Sequence, residues 1–381
     1  MRKKVVFNNI TFTFQKAGGV SMIWSEILRY FLEFGTNDWE IWLVVSTEDE
    51  KNIYWQQLKK EFDFEQLGVH IISDNRKLWR RRLLPLRLTE FKSEFIYFTS
   101  GNDWSVNKYA INASIFHDAL YEIYFKWNLP SVVNVVFRYY TLKNSKLVFC
   151  VSHNSALDLK KFYPNLVSEK RIIEVVYNGL PAAFGQKTEL DSNQNLLREN
   201  VPQDNKKPTS VLKKILFVGR RWGYKNLKYL FKEEYLGDIC EMYFVGGEEF
   251  TEDETHQLNR IFGTSGWHKL KTLSEFELLE MYRSAFCLFY PSKTEGFGLP
   301  VIEAQALGCP VVCYPNAAVK EIAQDSVLYL NTEGSNFRDI IESQELKDNR
   351  AIWIERGLEN ARNYPASKMA AQYYSKLKDL S

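Results

Sequence analysis

The sequence predicts an α/β protein made of two doubly wound, Rossmann-like domains. Its 381 residues suffice for two domains of ordinary size. In both halves, short and almost wholly apolar runs alternate with helical patterns, which is typical of parallel sheets covered on both faces. A polar stretch separates the halves. We therefore expect an N-terminal domain over 1–185, a polar linker over 186–210, a C-terminal domain over 211–365 and a C-terminal helix over 366–381.

The first half contains an amphipathic helical pattern over 21–34, in which Ile23, Ile27 and Phe31 lie on one face. A turn at 15–20, containing two glycines, should precede this helix. The apolar runs of this half predict strands at 4–7, 41–45, 69–72, 95–98, 111–116, 147–151 and 172–176.

The second half repeats the alternation, with strands expected at 215–218, 242–245, 285–290, 311–313 and 327–330. Ser274 followed three residues later by Glu277 predicts a capping box at the start of the helix before the third of these strands. Doubly wound domains bind ligands at the carboxyl ends of their strands. The residues that follow each strand are therefore the candidates for a site.

Composition excludes several classes of protein. The five cysteines lie mostly in apolar runs without the spacing of a zinc site, so we expect reduced, buried thiols. No apolar run approaches the ~20 residues that cross a bilayer. The first ten residues enter a strand without the apolar core of a secretion signal. We expect a cytoplasmic protein with no nucleic-acid partner.

The stretch 290–312 is the strongest functional signal. An apolar strand breaks into a loop with Gly296 and Gly298, and a helix should follow with Pro300 in its first turn and its end near Gly308. Free N–H groups of such a loop and helix start bind anions, and glycines let a ligand approach the backbone closely. The pattern predicts an anion site.

Two carboxylates flank this loop, Glu295 before it and Glu303 in the first turn of the helix. A carboxylate beside an anion site accepts hydrogen bonds from neutral hydroxyls, as in dinucleotide folds. A nucleotide sugar, which carries both phosphates and hydroxyls, satisfies both features. The alternative, acids that favour the helix dipole, accounts for Glu303 alone.

The motif E-x7-E, from Glu295 to Glu303 with GFGLP inside it, resembles the retaining glycosyltransferases of family 4 (glycosyl transferases group 1). The resemblance implies the GT-B architecture, two Rossmann-like domains facing each other across a cleft, with the last helix crossing back to the first domain. It implies that the first domain, 1–185, binds the acceptor and that the second domain, 211–365, binds the nucleotide sugar. It also implies transfer of a hexose-type sugar (mannose, glucose or similar) from a nucleotide sugar to a hydroxyl acceptor, in polysaccharide, O-antigen or glycolipid assembly.

The same resemblance implies roles for the residues of this loop. Glu295 would be catalytic and hold the transferred sugar or the loop around it, whereas Glu303 would hold the ribose hydroxyls of the donor. The remaining donor-binding positions would be Gly296, Phe297, Gly298 and Leu299.

Strand 215–218 leads into Gly219, Arg220 and Lys225, which match the family's G-R-x4-K. A diphosphate leaving group gains negative charge as the glycosidic bond breaks, and two fixed cations stabilise that charge. We therefore expect Arg220 and Lys225 to be catalytic and donor-binding, with Gly219 beside them. Arg221 is the less favoured neighbour. The alternative is that Arg220 and Lys225 are ordinary solvated residues without a functional role.

Gly19 and His117 are the candidates in the first half. Gly19 ends the first strand–turn unit, and its family counterpart lies under the donor phosphates. His117 follows strand 111–116 and precedes Asp118, a pair common among family members that use mannose or related sugars. The resemblance implies that His117 hydrogen-bonds the transferred sugar or stabilises developing positive charge through its carbonyl.

No D-x-D pair, the metal-binding motif of the GT-A enzymes, occurs in the chain. We expect no metal and no cofactor other than the nucleotide sugar, which is a substrate. Two other functions stay open. The first is a nucleotide-sugar-binding module without catalysis, which the full set of motifs disfavours. The second is a nicotinamide dehydrogenase, which the missing G-x-G-x-x-G disfavours.

The stretch 76–88 has six basic residues and no acid, interleaved with Trp79 and leucines. Residues 1–185 also carry 24 Lys and Arg against 19 Asp and Glu. Arg80, Arg81 and Arg82 therefore indicate a contact with a saccharide or lipid-linked saccharide acceptor or with an anionic membrane surface, which would make the protein peripheral on the inner face of the membrane. A solvated surface loop is the alternative.

Overall fold

A computed structural model describes residues 2–74, 76, 80, 84–167, 171–184, 212–221, 223–270, 273–333 and 336–380. The chain forms two compact units, one of Met1–Gly179 with Tyr364–Ser381 and one of Leu180–Asn363. The observed division follows Gly179, whereas we expected it after residue 185. The predicted linker, 186–210, lies outside the described residues. Among the helices of the described residues, none is long and apolar enough to span a bilayer.

The first unit contains a parallel seven-stranded sheet in the order β3-β2-β1-β4-β5-β6-β7. Its strands are β1 (Lys3–Asn8), β2 (Trp39–Val45), β3 (His70–Ser73), β4 (Phe95–Thr99), β5 (Ala110–Phe116), β6 (Ser145–Cys150) and β7 (Ile172–Val175). Its helices are α1 (Ile10–Phe14), α2 (Gly19–Phe34), α3 (Ile53–Glu61), α4 (Leu120–Ile123), α5 (Leu129–Asn144), α6 (His153–Phe162) and α14 (Ala366–Leu380), with 3₁₀ turns at Thr47–Lys51 and Pro164–Leu166.

Apolar strands and one amphipathic helix make the core of this unit. All five residues of β4 are buried, as expected of a central parallel strand. On one face of the sheet, the ring of Phe7 meets those of Phe31 at 4.9 Å and Phe98 at 5.9 Å, in edge-to-face geometry. The amphipathic pattern of α2 is confirmed, because Ile23, Ile27 and Phe31 are buried.

Helix α14 belongs to the first unit although it is the last element of the chain. It packs on α2, where the rings of Tyr374 and Phe31 lie 5.0 Å apart. Tyr373 is buried against Phe149, with ring centroids 4.6 Å apart. Lys378 adds a surface ion pair with Asp38 at 2.6 Å.

The second unit contains a parallel six-stranded sheet in the order β10-β9-β8-β11-β12-β13. Its strands are β8 (Lys213–Val218), β9 (Cys240–Val245), β10 (Trp267–Leu270), β11 (Cys287–Tyr290), β12 (Val311–Cys313) and β13 (Leu328–Tyr329). Its helices are α7 (Glu252–Phe262), α8 (Glu275–Ser284), α9 (Leu299–Ala306), α10 (Ala317–Ala323), α11 (Phe337–Glu342), α12 (Gln344–Asp348) and α13 (Arg350–Ala361), with 3₁₀ turns at Ala182–Phe184, Gly223–Lys225 and Leu227–Lys232.

The two parallel, Rossmann-like sheets confirm the predicted fold class, and several elements were not predicted, among them α1, β10 and helices α11 to α13. Helix α1 lies between β1 and the expected turn, and β10 adds an edge strand to the second sheet. All four residues of β10 are half-buried. An edge strand of this kind lacks the continuous apolar run that marks a central strand.

Candidate active site

Two loops in the second unit form the candidate donor site, one after β8 and one after β11. These strands are neighbours at the point where the chain order of the sheet reverses, so their carboxyl ends border a natural ligand crevice. Two hydrogen bonds join the loops: Lys293 N–H donates to the carbonyl of Tyr224 at 2.8 Å, and Asn226 Nδ2 donates to the carbonyl of Pro291 at 3.1 Å. The two loops are therefore hydrogen-bonded into one unit, which positions the side chains of the site.

Lys225 is held between these loops. Its Nζ lies 2.7 Å from Glu295 Oε1 and donates to the hydroxyl of Tyr290 at 3.2 Å. The side chains of Lys225 and Glu295 are only 11% and 12% exposed. An ion pair this far from water is screened little by salt. The structure thus joins the predicted diphosphate cation to the predicted sugar carboxylate.

Gly219, Arg220 and Arg221 follow β8 and differ in their surroundings. Gly219 has φ 118°, a backbone conformation that favours glycine, and a Cβ there would lie 3.9 Å from Lys225 Nζ, so this glycine is a direct neighbour of the amine. Arg220 is exposed. Arg221 donates to the carbonyls of Gly246 and Glu248, and its guanidinium lies 3.7 Å from the ring centre of Phe250. Arg221 therefore supports the loop after β9.

Glu303 lies on α9, whose first residue is Leu299. We predicted it in the first turn, and it is the fifth residue because the helix begins at once after Gly298. The hydroxyl of Tyr282 donates to Glu303 Oε2 at 2.8 Å. Burial raises the pKa of Glu303 to about 7, although the Tyr282 hydrogen bond and the charge of Lys225 act to lower it.

The glycine loop has the predicted backbone. Gly298 caps α9 with φ 113°, and a Cβ there would lie 3.2 Å from Ile322 Cδ1, so a larger residue would be both strained and crowded. Gly296 and Phe297 are buried, Leu299 is half-buried, and Gly308, with φ 68°, follows the end of the helix as predicted.

The first unit holds His117 and Gly19. His117 follows β5, and its Nε2 lies 2.9 Å from Ser100 Oγ. Burial, together with the charge of Arg138, lowers the pKa of His117 to about 4, although the charge of Asp118 acts to raise it. The ring is therefore neutral at pH 7. Gly19 is the first residue of α2, after Gly18 with φ 148°.

Sequence reasoning did not identify Tyr282 and Tyr290 as parts of the site. Both are buried, and both hydroxyls bond to site residues, Tyr282 to Glu303 and Tyr290 to Lys225. A signal for Tyr290 exists, because a tyrosine that ends a buried strand needs a hydrogen-bond partner at the carboxyl edge of the sheet.

The basic stretch is described only in part. Arg80 is exposed, whereas Arg81 and Arg82 lie outside the described residues. Arg76 makes two hydrogen bonds with Asp74, each of 2.8 Å, so this one member of the stretch pairs with an acid elsewhere.

The second unit resembles known glycosyltransferases in sequence. Residues 198–355 match the profile of the family described as Glycosyl transferases group 1. The O-antigen chain mannosyltransferase RfbU of Salmonella typhimurium is 29% identical over 198 residues, which are 51% of this chain and 49% of RfbU. The O-antigen chain mannosyltransferase B of Escherichia coli is 29% identical over 157 residues, 39% of this chain and 41% of that protein. The chain thus spans about half the length of the curated relatives it matches.

Solved structures resemble the fold over nearly the whole chain. Anabaena Alr3699/HepE in complex with UDP-glucose has a TM-score of 0.65 and 14% identity, and covers 99% of both chains. WaaG, a glycosyltransferase involved in lipopolysaccharide biosynthesis, has a TM-score of 0.63 and 13% identity, and covers 98% of this chain and 99% of its own. At such identities the likeness shows the fold alone. The chain has the GT-B fold, and the part of it that matches the glycosyl transferases group 1 profile, residues 198–355, contains both loops of the candidate donor site.

Proposed function

We propose that the protein is a retaining, metal-independent glycosyltransferase of the cytoplasm. It moves a hexose-type sugar from a nucleotide sugar to a hydroxyl acceptor, in the assembly of a polysaccharide, O-antigen or glycolipid. The observation that carries the proposal is the largely buried ion pair of Lys225 and Glu295, beside Gly219 at the carboxyl ends of β8 and β11. Mannose is the favoured sugar because two relatives are named O-antigen chain mannosyltransferases.

The cations act on the leaving group in this account. Lys225 is held by Glu295 and Tyr290 before any ligand arrives, so it need not reorganise when the diphosphate departs. Arg220 supplies the second cation from the solvent side of the same loop. Glu295 keeps Lys225 oriented and accepts a hydrogen bond from a hydroxyl of the transferred sugar.

We assign no proton transfer to His117. A ring whose pKa is about 4 is a weak base at neutral pH, so hydrogen bonding to the sugar is its proposed role. The acceptor hydroxyl then loses its proton to the departing phosphate, in a same-face attack that retains the anomeric configuration. A double displacement through a covalent intermediate would require a carboxylate nucleophile, for which no residue is assigned.

We expect nucleoside diphosphates to bind more tightly as the pH rises through 7. Ribose hydroxyls donate to Glu303, and such hydrogen bonds favour its ionised form. Because burial raises the pKa of the unliganded carboxyl to about 7, binding must displace a proton at lower pH and not at higher pH. Isothermal titration calorimetry from pH 6 to pH 8 measures the dependence.

Glu303→Gln is the matched control for this pH dependence, because it removes the titrating carboxyl while the phosphates of the ligand titrate as before.

In Glu303→Ala, affinity should fall by about tenfold or more, equally for nucleoside mono- and diphosphates. In Glu295→Ala the loss should be larger for the diphosphate, because Glu295 acts through Lys225. Equal losses from both substitutions with both ligands would show that this division of roles is wrong.

We also expect full transferase activity in excess chelator. The missing D-x-D pair and the basic residues Arg220 and Lys225 together motivate this expectation. Transfer is measured before and after treatment with EDTA, with a metal-dependent transferase as the treated control. Activity that disappears and returns with manganese or magnesium would overturn the metal-independent mechanism.

The acceptor side of the proposal concerns Arg80, Arg81 and Arg82. We propose that these cations contact an anionic membrane surface or a lipid-linked saccharide acceptor, in line with the excess of basic residues in 1–185. The proposed location is then peripheral, on the inner face of the membrane.

A further inference from the structure

The first unit carries a second surface with unusual chemistry, distinct from the basic stretch. All eight residues from Ile123 to Pro130 are exposed. Five of them are large and apolar: Ile123, Tyr124, Phe125, Trp127 and Leu129. Trp127 is 91% exposed and Leu129 is 76% exposed. Single exposed apolar residues need no explanation, but a contiguous group marks an interaction surface.

Helix α5 continues this surface. Its buried residues are Ser131, Thr141 and Leu142, and none of its four valines is fully buried. Val136, Tyr139 and Tyr140 are exposed along it. A helix that is apolar on most of its circumference is ordinarily covered by protein or lipid. We call the exposed apolar residues of 123–129 and 136–140 the α4–α5 surface.

Within the segment that carries the α4–α5 surface, the exposed charges have one sign, and the adjacent acid, Glu122 of α4, is nearly buried and pairs with Arg138. From Ile123 to Leu157 the sequence contains no Asp or Glu. Three lysines of this segment are exposed, Lys126 near the start of α5 and Lys143 and Lys146 near its end. Arg138 is turned inward, where it donates to Glu122 at 2.7 Å. The exposed charges are therefore cations at both ends of an apolar surface.

These features fit an anionic bilayer better than a saccharide. Saccharides are bound by aromatic rings together with hydrogen-bonding side chains, whereas this surface includes the aliphatic Ile123, Leu129 and Val136. Its one exposed amide between Ile123 and Pro130, Asn128, caps α5 by accepting from Ser131 N–H at 3.0 Å. Exposed Trp and Tyr suit the headgroup layer, and basic residues beside an apolar face add attraction to anionic lipids. A groove of about 420 Å³ between α5 and the end of α6, lined by Tyr139, Tyr140, Phe162 and Leu166 among others, extends the apolar area.

We infer that the α4–α5 surface docks the protein on an anionic lipid bilayer, with Phe125, Trp127 and Leu129 entering the interface and Lys126, Lys143 and Lys146 facing the lipid headgroups. Docking does not depend on the proposed transferase activity, since it is measured without donor or acceptor.

The test is co-sedimentation of the full chain with vesicles of phosphatidylcholine alone and of phosphatidylcholine mixed with phosphatidylglycerol, at low and high salt. The wild type should bind the mixed vesicles, and more weakly at high salt. In F125S/W127S/L129S the binding should fall by about tenfold or more, because three interfacial side chains are lost. F276S/I352S is the matched control, since Phe276 and Ile352 are exposed apolar residues of the second unit, and it should bind as the wild type.

Brominated lipid provides a second readout that does not require the triple variant. Tryptophan emission of the wild type should be quenched by vesicles brominated near the headgroups, and W127F should be quenched less. Three results would overturn the inference. The first is vesicle binding by F125S/W127S/L129S that equals the wild type, and the second is binding that R80S/R81S/R82S loses while F125S/W127S/L129S keeps it. The third is a wild type that binds no vesicles and forms a dimer that F125S/W127S/L129S dissociates. The last would assign the surface to a second copy of the chain.

Discussion

Replacing Lys225 with methionine is expected to lower the rate of sugar transfer at saturating donor by about 100- to 1000-fold. The loss of one preorganised electrostatic contact to the developing charge raises the barrier by ~2.7–4 kcal/mol. Lys225 is preorganised because Glu295 and Tyr290 bind its amine and the linked loops hold its backbone. The measurement is the rate of nucleoside diphosphate release in the presence of acceptor.

The single substitution also leaves Glu295 without its cation, and this effect needs its own control. An unpaired carboxylate in a site only 12% exposed destabilises the fold. The double variant K225M/E295Q removes both charges, so its thermal stability should recover while its turnover stays low. Near-normal turnover of K225M at saturating donor would exclude Lys225 from the chemistry.

Arg220→Ala should have an effect on turnover of similar size, with an intact fold. Arg220 is exposed at the end of β8, next to Gly219, so its removal exposes no core. The expected loss is again ~2.7–4 kcal/mol in the barrier. Turnover at saturating donor and the melting temperature are measured on the same samples.

The adjacent Arg221 is a matched control. It bonds the carbonyls of Gly246 and Glu248 and stacks on Phe250, so Arg221→Ala should lower the melting temperature and change turnover far less than Arg220→Ala does. If Arg221→Ala proved the more damaging to turnover, the assignment of the two arginines would have to be exchanged.

The elements that were predicted correctly are those marked by residues close together in the sequence. The buried strands are continuous apolar runs, and β4, β11 and β12 lie where they were expected. The capping box at Ser274 is present: its N–H donates to Glu277 Oε2 at 2.7 Å, and its Oγ accepts from Glu277 N–H at 3.3 Å. Gly298 and Gly308 have the positive φ that the loop and the helix end require.

What the sequence did not predict depends on contacts between distant residues. Lys225 and Glu295 are 70 positions apart and pair only because β8 and β11 are neighbours in the sheet. The partner of Glu303, Tyr282, comes from the preceding helix. The α4–α5 surface was not predicted because an apolar helical pattern ordinarily indicates burial. Only the folded unit shows that its apolar side chains are exposed.

The most direct test of the central claim is turnover of a panel of nucleotide sugars, with UDP and GDP as carriers of glucose, mannose and related hexoses. The account predicts that at least one donor releases its nucleoside diphosphate, faster with a saccharide or lipid-linked acceptor, and that K225M and Arg220→Ala suppress this release. Binding of nucleotide sugars without turnover of any donor, in the absence and presence of such acceptors, would contradict it and identify a binding module.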